Sequence, residues 1–187
     1  DAPAQRQVIR ELIDADGDLA GLAQRFDDLA AADGIGSAPG GIGDNIVQGR
    51  VEILDYVREN IDNLDPQATR RILRGLFTDG DAVGPAFLTR LGADDQIFRA
   101  FDATGSADGG YFSRVSDARL DSAGQRRASA LPGDNQATGG VVAQIGEDSL
   151  AVVTRISDQT GRFGEWATGG GWQIQLCNHG NLRNRLS

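Results

Sequence analysis

The spacing of apolar residues changes part-way along the chain, and this change limits the fold more than any other feature. From Gln5 to Ala31 they recur every three or four positions, as Val8, Ile9, Leu12 and Ile13 and then Leu19, Leu22, Phe26 and Leu29. That is the repeat of helices with one buried face, and Gly17 divides the series into two. The repeat resumes at Ile46, Val51, Ile53, Leu54, Val57 and Ile61. Asp65 followed by Pro66 supplies an N-cap and a proline at the first helical position, which predicts a further helix to about Phe77. Pro85 to Leu91 and Asp94 to Phe101 read as two shorter helices, with Gly92 ending the first. Residues 1–104 are therefore expected to be an all-helical packing region.

After Thr104 the texture changes. Gly105 to Gly110 forms turns, Tyr111, Phe112 and Val115 suggest a short strand, and Ser122 to Ala130 a helix. Val141 to Ile145, Leu150 to Ile156 and Trp172 to Leu176 have the β-branched, aromatic and alternating character of strands. The expected fold class is α+β: the helical region, then over 105–187 a small mixed α/β domain with a twisted, mainly antiparallel sheet. Gly34, Gly36, Gly40, Gly41 and Gly43, with Pro39, make a linker or long turn. There is no internal repeat and no heptad stretch of coiled-coil length.

The charge balance narrows the chemistry. Among 187 residues, 27 Asp and Glu face 18 Arg and no Lys, a formal net charge of -9. Such a field repels polyanions and argues against nucleic acid as a bulk-charge partner. The Asp excess suits a salt-loving source or a GC-rich genome. The apolar runs are far too short to span a membrane. Cys177 has no second cysteine to pair with, and one histidine cannot build a zinc cluster, so no metal site is expected. Met is absent even at position 1, so Asp1 is expected to be a cut site within a longer polypeptide.

Several motifs invite a functional reading. Asp14-Ala15-Asp16-Gly17-Asp18 begins like a calcium loop, but Leu19 stands where that loop needs Gly and Arg25 where it needs Glu. Gly34-Ile35-Gly36 has no preceding strand to make it a nucleotide fingerprint. Cys177 and His179 are near in sequence, which does not give the facing geometry of a thiol nucleophile and its base. The most informative stretch runs from Phe163-Gly164-Glu165-Trp166 through Gly169-Gly170-Gly171 to Trp172-Gln173-Ile174-Gln175-Leu176. Three consecutive glycines let backbone approach a neighbour closely. Beyond them, period-two alternation sets Trp172, Ile174 and Leu176 on one face and Gln173 and Gln175 on the other. Upstream, Arg114 lies on the strand Tyr111–Val115, where a guanidinium suits bidentate binding of a diphosphate.

The order of these features, an early strand arginine, an Arg-rich stretch ending in Ala130-Leu131-Pro132, paired β segments, Phe163-Gly164 and Gly169-Gly170-Gly171-Trp172-Gln173, resembles the tuberculosis necrotizing toxin family of NAD glycohydrolases. The resemblance implies a small fold like that of ADP-ribosyltransferases, secreted as the tail of a larger polypeptide and acting in the cytoplasm of a target cell. NAD or NADP would be its substrate, with no cofactor, and a cognate immunity protein its partner. It makes Gln173 catalytic and Arg114 the arginine that grips the dinucleotide, with Arg119 as the alternative. Phe163, Trp166, Gly170, Gly171 and Gln175 would line the dinucleotide site. The family's catalytic histidine has no counterpart at a matching position, because His179 follows the glutamine strand.

The residue types fit that chemistry. Cleaving ribose from a cationic nicotinamide releases a neutral group, so positioning and support of an oxocarbenium-like ribose matter more than general acid. Gln173-Ile174-Gln175 lacks the glutamate of related transferases, which favours water as acceptor, although Glu165 leaves protein ADP-ribosylation open. A toxin ribonuclease using His179 with Arg183 or Arg185 and a non-enzymatic binding module are the other readings.

Overall fold

A computed structural model describes residues 2–15, 17–32, 40–77, 84–93, 95–101, 111–119, 121–129, 136–156, 158, 160–177 and 182–186. Gly34-Ile35-Gly36, the turn 105–110, Ala130-Leu131-Pro132 and His179 lie outside them. The described chain forms helices α1 (Ala2–Ala15), α2 (Gly17–Ala32), α3 (Arg50–Asn60), α4 (Pro66–Phe77), α5 (Ser122–Ala128) and α6 (Thr160–Phe163). Its strands are β1 (Asp44–Gln48), β2 (Ala86–Leu91), β3 (Gln96–Phe101), β4 (Tyr111–Arg114), β5 (Gly139–Ile145), β6 (Ser149–Arg155), β7 (Trp172–Leu176) and β8 (Leu182–Leu186). The architecture is mixed α+β.

The eight strands hydrogen-bond in the order β1-β2-β6-β7-β4-β3-β5-β8. Every neighbouring pair is antiparallel. The expectation of an all-helical region to residue 104 is corrected here, because β1, β2 and β3 all precede that residue. Pro85–Leu91 and Asp94–Phe101, read as helices, contribute β2 and β3. The cause is burial on both faces: Phe87 and Leu91 of β2 enter one core cluster while Ala86 and Leu88 enter the other. A strand covered on both sides loses its period-two signature and cannot be told from a buried helix by pattern. Ile46, counted into a helix, belongs to β1. The expected division at residue 104 falls between β3 and β4, which are paired through Ile97 with Arg114 and Phe98 with Ser113.

One core lies between the sheet and the helices. Ile9 and Ile13 of α1, Ala23 of α2, Ile53, Leu54 and Val57 of α3 and Ile72 and Leu76 of α4 pack against Ala86, Leu88, Val152 and Cys177. The second lies within the curl of the sheet, where Phe87, Val153, Ile174 and Phe112 meet Ile97, Ala143 and Ile145. We call these the helical face and the inner face. α4 begins as its sequence dictates, with the Asp65 carboxylate accepting from Ala68 N at 3.1 Å and Pro66 opening the first turn.

α3 is capped from another element. Its first two amides, Arg50 N and Val51 N, donate to the Asp27 carboxylate of α2 at 2.8 and 3.0 Å. The adjoining Gly49 has φ 92°, and a side chain there would press on that carboxylate. Arg50 itself is completely buried. Its Nε donates to Leu76 O and its Nη1 to Gly84 O, both at 2.9 Å, and its guanidinium lies 4.7 Å from the Phe26 ring centroid. Burial lowers its pKa to about 10 against the opposing pull of Asp27. Arg50→Met keeps the volume but strands two buried carbonyls, and is expected to lower stability by about 2 to 4 kcal/mol, read from the shift in urea midpoint at constant slope.

Candidate functional site

Strand register divides the candidate residues between the two faces. Across β2, β6 and β7, Phe87 pairs with Val153 and Val153 with Ile174, all on the inner face. Phe112 of β4 pairs with Ile174 and shares that face. One row further along, Arg155 pairs with Trp172. Continuing the β4–β7 register by two residues brings Arg114 to the level of Trp172, and alternation sets it on the same face. Arg155, Trp172 and Arg114 thus form a cross-strand row on three adjacent strands at one end of the inner core.

Each member of the row is held. Trp172 is 9% exposed and tilts 60° against Phe87, with ring centroids 5.7 Å apart. Arg114 donates from Nε and Nη2 to the Asp117 carboxylate at 3.3 and 3.2 Å. Asp117 sits in a 3-10 turn over Val115–Arg119, and the amide of the buried Gln125 on α5 donates to its backbone carbonyl. Arg119, the alternative to Arg114, closes that turn. The Arg155 guanidinium lies 3.9 Å from where a side chain on Gly170 would begin.

Gln173 and Gln175 fall on the opposite, helical face. Gln173 pairs with Thr154 and Gln175 with Val152, which belongs to the helical core. Gln175 is 7% exposed, lies against Gly75 of α4, and its Oε1 accepts no hydrogen bond. The alternation read from the sequence is present, with Trp172, Ile174 and Leu176 on the inner face. The structure brings Arg114, Phe163, Trp166, Gly170 and Gly171 to one end of the molecule and does not bring Gln173 onto Arg114's face.

The triple glycine does approach a neighbour closely, and that neighbour is α5. Gly169 N donates to Arg127 O and Gly171 N to Ala128 O, both at 2.8 Å, while Gly170 N donates to Ile156 O at 2.8 Å. Gly169 and Gly170 have φ 71° and 93°. A Cβ on Gly171 would stand 2.6 Å from Ala128 O. α5 is itself capped by Asp121, whose carboxylate accepts from Gly124 N at 2.6 Å. Behind the loop, Phe163, Trp166, Ile156 and Ala167 form a small separate cluster, and the Arg126 guanidinium stands 4.7 Å from the Trp166 ring centroid.

Arg155, Arg126 and Asp117 were not singled out from sequence as site residues. For Arg155 the signal existed, because it continues the alternation of Ala151 and Val153. Among the described residues no group of acidic, histidine or cysteine side chains could hold a metal ion, and no helix is long and apolar enough to cross a membrane. Arg183 and Arg185 lie on β8, where Arg185 pairs with Ala143.

No protein-family model matches the chain, and no curated protein matches it. A solved structure described as "Rhs1-CT in complex with cognate immunity protein RhsI1" is similar at 18% identity and TM-score 0.44, over 55% of this chain and 77% of that one.

Two outcomes follow from this geometry. Gly171→Ala should lower stability by about 1 to 3 kcal/mol in chemical denaturation, because α5 must move off the loop. Cys177 is buried and its thiol is pushed up to about 12 by desolvation, which outweighs the opposing effects of Arg71 and a backbone hydrogen bond. It should not react with a thiol reagent at neutral pH until the chain unfolds. Its folded pKa lies above the ordinary thiol value of 9.0, so its contribution to stability is complete below pH 9 and is lost as pH rises toward 12.

Proposed function

We propose that the chain cleaves the nicotinamide–ribose bond of NAD or NADP, as the tail of an antagonistic toxin that a cognate immunity protein silences. The observation that carries this reading is the inner-face row in which Arg155 and Arg114 flank Trp172. Two guanidiniums on one face suit a diphosphate, which takes bidentate hydrogen bonds that a compact ammonium does not match. The sequence resemblance supports the same substrate class.

In this reading Arg114 and Arg155 hold the diphosphate. Asp117, 17% exposed in its side chain and already paired with Arg114, places negative charge beside the ribose as it becomes oxocarbenium-like. Water accepts the ribosyl group. Leaving-group protonation is unnecessary because nicotinamide departs neutral. Gln173 acts from outside this set, since its side chain belongs to the helical face.

The test is turnover of a fluorescent NAD analogue by the wild-type chain and by Arg114→Ala, Arg155→Ala and Gln173→Ala. Each arginine variant loses a charge-assisted contact of about 1.5 to 3 kcal/mol, so KM should rise tenfold or more. Gln173→Ala should stay within about threefold of wild type, well under the tenfold that 1.4 kcal/mol represents. Absence of turnover in the wild-type chain, or unchanged KM in both arginine variants, removes the reading. Loss of turnover in Gln173→Ala alone, with the fold intact, would move the chemistry to the helical face.

A further inference from the structure

We infer that Gln125 is a positioning residue for Arg114, acting through Asp117, and that the end of the Arg114 guanidinium is the edge a ligand meets. Gln125 is buried on α5, and its amide nitrogen donates to Asp117 O. Its own Oε1 is also buried and accepts no hydrogen bond. A buried acceptor without a donor is costly, and leucine or methionine would fill the same space without that cost. What the amide adds at this position is the bond to Asp117 O.

That bond matters because the ion pair it supports is weak by itself. Arg114 Nε and Nη2 reach the Asp117 carboxylate at 3.3 and 3.2 Å, longer than the roughly 2.7 to 2.9 Å of strong charge-assisted bonds. Both side chains are partly exposed, and an ion pair open to water contributes little. To orient Arg114, the carboxylate must therefore be held from behind. Gln125 holds it from a helix that is itself fixed at both ends. Asp121 caps the first turn, Ser122 Oγ donates to Ala137 O at 2.9 Å, and Arg127 O and Ala128 O bind the glycine loop. Nε and Nη2 lie along one side of the guanidinium, and Asp117 takes that side. Nη1 with the outer hydrogen of Nη2 then forms the edge presented to an oxyanion. That Arg114 meets a ligand rests on the dinucleotide reading; its placement by Gln125 does not.

The experiment follows the Arg114 Nε proton by nitrogen–proton NMR correlation in the full chain, its resonance identified by absence from Arg114→Ala. In Gln125→Met this proton should exchange with water about tenfold faster than in the wild type, or more, with circular dichroism and the exchange of the β6 and β7 amides unchanged. Gln125→Asn, whose amide is too short to reach Asp117 O, should behave in the same way and carries the test if Gln125→Met does not fold. Turnover gives a second readout. Gln125→Met should raise KM for the fluorescent NAD analogue about threefold or more, and should add nothing in an Arg114→Ala background, because one residue acts through the other. An unchanged Nε exchange rate in the folded variants, or an equal KM rise in the Arg114→Ala background, overturns the inference. Release of the Nε proton in a chain that turns over no NAD eliminates the cleavage reading alone. Turnover with the Nε proton unaffected by both Gln125 variants eliminates this inference alone.

Discussion

A fully desolvated guanidinium organises the helical half of this protein. Removing Arg50 from water is costly, and the cost is tolerated because Leu76 O and Gly84 O accept its hydrogen bonds while Phe26 faces it. Those contacts join the end of α4, the start of β2 and the middle of α2. Gly84 is one residue from Pro85, whose carbonyl accepts from Arg155 N. The segment Gly84–Pro85 thus touches both the buried guanidinium and the strand that carries Arg155.

Much of the helical layer was legible in the sequence because each helix has a single buried face. α1 and α2 divide at Gly17 as their spacing requires, and α4 carries its own cap. β4 to β7 were legible for the complementary reason, a clean alternation or a β-branched run between turn residues. β2 was hidden by being covered on both sides. The start of α3 was obscured because its cap, Asp27, comes from a residue 24 positions before Val51. Local patterns do not contain a distant carboxylate.

The candidate site was legible as chemistry and illegible as placement. Arg114, Phe163, Trp166 and the glycines gather at one end. Alternation along β7 separated Trp172 from Gln173 correctly, yet it fixes only relative sides. Which side is roofed by helices depends on α4, and Gly75 is small because Gln175 lies beneath it. Arg50 carries no sequence signal, and Arg126 shows only as part of an Arg-rich stretch, since an arginine's burial is decided by tertiary neighbours.

The hydrogen bonds that join α5 to the glycine loop, at Arg127, Ala128, Gly169 and Gly171, run between main-chain amides and carbonyls. A seam of this kind is indifferent to which side chains α5 displays outward. Mutation can exchange those side chains over evolutionary time, altering what the protein recognises or what recognises it, while the scaffold beneath keeps its shape. Diversity at the surface and constancy of the frame are then reconciled in two glycines.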